Sequence, residues 1–126
     1  MSVTLNIDAY SSDITSIAAG ATYTTDSSAI DVQDVEVMAV QVKGTGANAS
    51  SAGNLVVKLV ASLDNSNYDT TAFHTLTVAF SGSSEVRETN LVNVPGLRSI
   101  KVTSVQNTDA TYAVTNVNVI IGKTVL

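Results

Sequence analysis

His74 is the sequence's single histidine and so its one side chain suited to proton exchange near neutral pH. It stands between Phe73 and Thr75, inside an alternation of apolar and polar residues that reads as a β-strand. With no cysteine in the chain, a zinc site there would need several carboxylates to converge on one imidazole. No Gly-x-Ser-x-Gly stretch supplies a nucleophile elbow. His74 therefore reads as a half-exposed strand residue.

The turn Asp64-Asn65-Ser66-Asn67-Tyr68-Asp69 gathers the hard oxygen ligands that calcium prefers. It lacks the glycine and the glutamate that close an EF-hand loop, and Asx side chains also close turns on their own backbone. The sequence favours the structural turn. Gly44-Thr45-Gly46 opens a glycine-rich run that reaches Gly53, without the Lys-Ser/Thr of a phosphate loop or the third glycine of a dinucleotide fingerprint. It reads as a flexible loop. Asn48-Ala49-Ser50 fits the glycosylation pattern, a short pattern that chance produces often. Asp26, Asp31, Asp34 and Glu36 form an acidic stretch, read as a solvated edge ahead of a weak cation site. Glu85, Arg87 and Glu88 place charge along a strand, where charge discourages edge-to-edge pairing. No catalytic residue, cofactor or metal ligand is expected, and the chain does not read as an enzyme.

The elements that must position these residues are strands. The 126 residues suffice for one domain with its own core. Aromatics make up 5% and tryptophan is absent, so the core must be built from small aliphatics. Valine, isoleucine and threonine abound, and their branched side chains favour strands. Charged residues are only 13%, about half the usual share, which suits a surface that packs against protein. A net charge of −5 leaves no footprint for nucleic-acid phosphates or an acidic membrane. The segment MSVTLNIDAY has neither the basic nor the apolar region of a signal peptide, and the apolar runs are too short to span a bilayer as a helix.

Eight strands are expected: 3–7, 21–25, 35–43, 55–63, 73–80, 86–94, 98–106 and 112–121. Leu55, Val57, Leu59, Ala61 and Leu63 share one face by period-two spacing. The run VEVMAVQVK changes phase between Val37 and Val40, which implies a bulge or burial on both faces, and the last strand changes phase near Thr115 and Asn116. Asn/Asp, Ser/Gly and Pro-Gly turns separate the runs. The expectation is an all-β fold, a β-sandwich or jelly roll of about eight antiparallel strands in a single domain over 1–126. Residues 1–34 are the least regular part and read as an N-terminal strand or arm followed by an irregular crossover. Val3, Leu5 and Ile7 alternate there, either as an arm added to a neighbour's sheet or as an edge strand of the chain's own sandwich.

From Leu55 to Lys123 the chain resembles virion proteins of tailed bacteriophages. Ser62, Asp64 and Tyr68 match a serine-x-aspartate-turn-aromatic element between two strands, and Val94-Pro95-Gly96-Leu97-Arg98-Ser99-Ile100-Lys101-Val102 matches a second. Asn65-Ser66 stands where Asp-Gly is more usual. The resemblance implies a small sandwich that decorates the outer head surface of a virion, made in the host cytoplasm, with the major capsid protein as partner. Low charge and a thin core imply a homo-oligomer, with a trimer favoured. Val3, Leu5, Ile7, Asp64, Asn65 and Tyr68 are the candidate partner-binding residues. The alternative is a tail or adhesin module that binds carbohydrate, which the absence of tryptophan disfavours. Because no ligand cluster is expected, chelation with EDTA should leave the melting temperature unchanged. A fall of many degrees would assign a cation to the turn at Asp64–Asp69.

Overall fold

A computed structural model describes residues 4–24 and 29–125, with side chains over 14–24 and 29–123. The described chain is all-β. Its strands are β1 Thr4–Ile17, β2 Thr22–Thr24, β3 Ile30–Asp31, β4 Val37–Gly46, β5 Asn54–Ser62, β6 His74–Ala79, β7 Glu85–Asn93, β8 Ser99–Asn107 and β9 Val114–Val125. One sheet has the order β1-β9-β4-β7; the other has β2-β8-β5-β6, with β3 also on β8, and every pairing is antiparallel.

The pairing is nested. β1 pairs with β9, β2 and β3 pair with β8, β4 pairs with β7, and β5 pairs with β6. A long hairpin folded back on itself and rolled into two sheets gives this order, which is the jelly-roll topology. The nine strands correspond to the eight expected if β2 and β3, which lie along one partner, count as two pieces of a single strand.

Side-chain alternation explains why the sheets close on each other. Met38, Val40 and Val42 of β4 point inward with Val92, Val114, Val117, Val119 and Ile121. Leu55, Val57, Leu59 and Ala61 of β5 meet them from the other sheet, with Leu76, Val78, Ile100, Val102 and Val105. Among the described side chains the fully enclosed cluster contains no aromatic ring, and Phe80, partly buried, packs against it.

Several expectations change. β4 alternates without a break, and no phase change falls between Val37 and Val40. Val37 lies on the outer face, while Val35 is buried in the turn before the strand. Leu63 is not in the core; β5 ends at Ser62, and Leu63 is 75% exposed. Gly44 and Gly46 belong to β4 and are buried, so the loop begins only after them. A Cβ on Gly44 would stand 2.6 Å from Leu55 Cδ1, and one on Gly46 would stand 2.1 Å from the Gly82 carbonyl oxygen. Strand β1 runs on to Ile17, through a stretch read from sequence as irregular, with its register shifted between Ile7 and Ser11. The phase change expected near Thr115 and Asn116 is present, and it takes the form of a bulge. Asn116 has φ 52°, and the β4–β9 register slips there, between Lys43 and Thr45.

One end of the sandwich is tied by a polar knot. Asn107 is fully buried. Its Nδ2 donates to the Ile17 carbonyl at 3.2 Å, the Ala18 carbonyl at 3.3 Å and the Tyr112 carbonyl at 3.0 Å, and its Oδ1 accepts from the Asp109 N–H at 2.9 Å. Asp109 continues the knot, accepting from Thr111 and Tyr112 on Oδ1 and from Ala52 on Oδ2. Thr108 pairs with Asn54 through both backbone and hydroxyl. Three connections that are far apart in sequence thus meet on three consecutive residues. Asn107→Ala leaves several buried groups without partners, each at a cost of about 1–3 kcal/mol. Chemical denaturation should show a loss of at least about 2 kcal/mol at unchanged m-value, and a loss below 0.5 kcal/mol, to order of magnitude, would remove the knot from its structural role.

Candidate functional site

The opposite end carries the connections β3–β4, β5–β6 and β7–β8, and it differs in character. Val32, Val35 and Val94 plug the core there. Beyond them a group of apolar side chains reaches the surface among charged ones: Leu63 is 75% exposed and Phe73 39%, with Pro95 exposed and Leu97 half-buried. Val94-Pro95-Gly96-Leu97 forms the turn, closed by Leu97 N–H to the Val94 carbonyl at 3.3 Å. Gly96 has φ 79°, so this is a type II turn, in which proline takes the second position and glycine the third. The turn lifts Pro95 and Leu97 toward Leu63. A cleft of about 650 Å³ lies among Asp34, Glu36, Leu63, Pro95, Leu97 and Arg98. A second of about 480 Å³ shares Leu63 and Leu97 and is walled by Asp64, Tyr68 and Phe73.

The Asp64 turn is a closed hydrogen-bond unit. Asp64 accepts from the Asn67 N–H at 2.8 Å, the Asn67 Nδ2 at 2.8 Å, the Ser66 N–H at 2.9 Å and the Ser62 hydroxyl at 3.0 Å. These donors, the Asn67 backbone first, hold its carboxyl well below the usual carboxylate range. Asn65 takes φ 64°, a left-handed conformation that asparagine tolerates. Tyr68 folds over the outer face of β5 and β8. Its hydroxyl lies 2.7 Å from Ser99 Oγ, and Lys101 Nζ sits 4.4 Å from its ring centroid. Ser62, Ser99 and Val60 are buried on that face. One face of the ring is therefore occupied, which leaves Phe73 as the exposed aromatic at this end. Asp69 closes the turn, its carboxylate and N–H both bonded to the Ala61 backbone.

The six sequence candidates fall as follows. Asp64 and Asn65 are exposed and Tyr68 is half-buried, all in the β5–β6 connection. Leu5 and Ile7 stand opposite Thr124 and Gly122 in the β1–β9 register; since Met38 also lies opposite Lys123, they occupy the same end of the sandwich. Their backbone is thus an edge strand on the chain's own β9. Val3 lies outside the described residues. Of the acidic stretch, Asp31, Asp34 and Glu36 are exposed at this end, and Asp26 lies outside the described residues. Leu63, Leu97 and Pro95 are not among the partner-binding candidates read from the sequence. Leu63 continues the period-two pattern of β5, and only the turn after Ser62 removes it from the core.

His74 opens β6 opposite Leu59, half-buried, with Nε2 enclosed and unbonded among the described residues. Among the described residues no three His, Asp or Glu side chains converge on one point. No described helix is long and apolar enough to cross a membrane.

The chain matches no protein-family model and no curated protein. Among solved structures it is similar to a subunit of Bacillus endospore appendages, described as a novel family of disulfide-linked pili. That match has 17% identity and a TM-score of 0.40, covering 100% of this chain and 93% of the other. It is also similar to PRD1 vertex protein P5, with 14% identity and a TM-score of 0.48, covering 98% and 96%. This chain has no cysteine with which to form a disulfide.

Asp109, like Asp64, is held below the usual carboxylate range, by the N–H groups of Tyr112, Thr111 and Ala52 in that order. A carboxyl with a lower pKa folded than unfolded adds stability above its unfolded value, about 4, and loses it as the pH falls toward the folded value. Thermal melts should therefore drop as the pH falls below about 4. Asp109→Asn turns one acceptor into a donor facing N–H groups, so it should melt lower at pH 7 and show a shallower acid drop. Asp64→Asn should do the same more weakly, because its partners lie within three residues. An acid limb unchanged in both variants would refute this account.

Proposed function

We propose that the chain is a structural virion protein, a capsid decoration protein that docks on the outer head surface and reinforces the shell. The observation that carries the reading is the group of apolar side chains at this end of the sandwich: Leu63, Phe73, Pro95 and Leu97 are presented together on connections that are hydrogen-bonded at Phe73 and Leu97. Hydrophobic groups held in place in advance bind without a large ordering cost. Asp64 and Asn65 stand beside them as polar rim, and the backbone of residues 4–7 reaches the same end. The low charge of the whole surface agrees with a partner that is protein.

The partner proposed is the major capsid protein, bound by a homo-oligomer of this chain. Binding that favours the assembled shell over its dissociated subunits stabilises the shell by mass action. Burying one leucine side chain is worth about 1.5–3 kcal/mol, so losing it should weaken binding about tenfold or more.

The test uses virions purified from cells that produce the chain. Wild-type protein should co-sediment with the particles, raise the shell's melting temperature and appear as density on the outer head. Leu63→Ser should keep its own melting temperature and lose about tenfold or more in particle affinity. Wild-type protein absent from particles, or Leu63→Ser bound as tightly as wild type, would overturn the proposal.

A further inference from the structure

The β1-β9-β4-β7 sheet ends in β7, which among the described residues pairs only with β4. An edge strand offers a row of unpaired N–H and C=O groups, and proteins usually guard it with charge. β7 is guarded over half its length. Glu85, Arg87 and Glu88 occupy its first four residues, and Arg87 pairs with Glu85 at 3.3 Å. From Thr89 to Asn93 the strand has no charge. Leu91 in that half is 73% exposed, and its cross-strand neighbour is Ala39, next to the 40%-exposed Val37. Gln41 and Thr89 hydrogen-bond each other at 3.0 Å, so the outer face there holds no unmet polar side chain from that pair.

We infer that the unguarded half of β7 pairs with the same strand of a second copy, antiparallel about a two-fold axis at Leu91. Three features select this occupant and register. Each copy carries a net charge of −5, and along this strip two copies can approach without opposing like charges. A two-fold perpendicular to the sheet keeps side chains on matching faces only when it passes through a residue. Centred on Leu91, it sets Leu91 against Leu91, Thr89 against Asn93 and Asn90 against Val92, with Val37 and Ala39 of both copies flanking the seam. Pro95, which has no N–H to give, falls opposite Arg87 and ends the ladder where the guarding charges begin. Centres at Val86 or Glu88 would instead bring the charged half together, the latter with Glu88 facing Glu88. Two four-stranded sheets thus become one continuous sheet of eight strands, in an oligomer of even number rather than the trimer that composition favours. The inference stands independently of capsid binding.

Because the chain has no cysteine, single-cysteine variants report the register directly. Antiparallel partners lie about 4.5–5.5 Å apart at Cα, within disulfide range. Under mild oxidation Leu91→Cys should form a covalent dimer in high yield. Thr89→Cys, on the same strand and face, and Thr77→Cys, on the exposed face of β6, should not. In sedimentation the wild type should be dimeric, and Leu91→Lys, which sets two ammonium groups opposite each other, should weaken the dimer about tenfold or more without lowering the monomer's melting temperature. A wild type that is monomeric at its highest soluble concentration would overturn the inference. So would a trimer untouched by Leu91→Lys, or cross-linking of Thr89→Cys equal to that of Leu91→Cys.

Discussion

The buried carboxamide of Asn107 is the interaction on which the rest of the structure depends. A jelly roll built from valine and isoleucine has strong reasons to bring its sheets together and weak reasons to fix where each strand stops, because one valine fills a slot much like another. Asn107 supplies the missing definition. It binds the carbonyls of Ile17, Ala18 and Tyr112, and so sets where β1 ends and how the chain turns into β9. With Asp109 and Thr108 it also fixes the approach to β5. A buried polar network with every member satisfied narrows the accessible packings more than an apolar contact of the same size, since any slip in register strands several groups at once.

The two ends of the sandwich have accordingly taken different parts. At the Asn107 end polar groups face inward and are paired, and glycines admit backbone where side chains would collide. At the other end the paired groups are local, as in the Asp64 turn, and the apolar residues face outward. Such a split agrees with a module held rigid from one side and presented from the other. The topology itself is shared by proteins of many functions, and the argument for assembly rests on the exposed residues rather than on the fold.

Much of this was legible in the sequence. Period-two spacing located β5 and β9, including the phase change near Asn116, and turn chemistry placed Pro95-Gly96. The Asp64 turn was recognised as structural because Asx side chains close turns by the same bonds seen here. What escaped had physical causes. Gly44 and Gly46 look like loop residues, yet they lie in a strand because Leu55, Ser51 and the Gly82 carbonyl crowd the space a side chain would need. β1 continues past Ile7 because its pairing with β9 tolerates a register shift that hides its periodicity. Leu63 continues an inward pattern that the strand itself does not. That Asn107 is buried could not be read from a turn-like Asn-Thr-Asp, since its partners Ile17 and Ala18 lie some ninety residues away.

The nesting of strands also has a consequence in time. The two outermost members of the nest are the first strand and the last, and Leu5 finds its partner only at Thr124. On a ribosome, therefore, the first strand emerges long before its neighbour exists. The innermost pair, β5 with β6, can form while later segments are still being made, and closure proceeds outward as β7, β8 and β9 appear. A chain whose contacts are this remote in sequence folds slowly for its size, and the cell must keep β1 from finding another edge until β9 has been made.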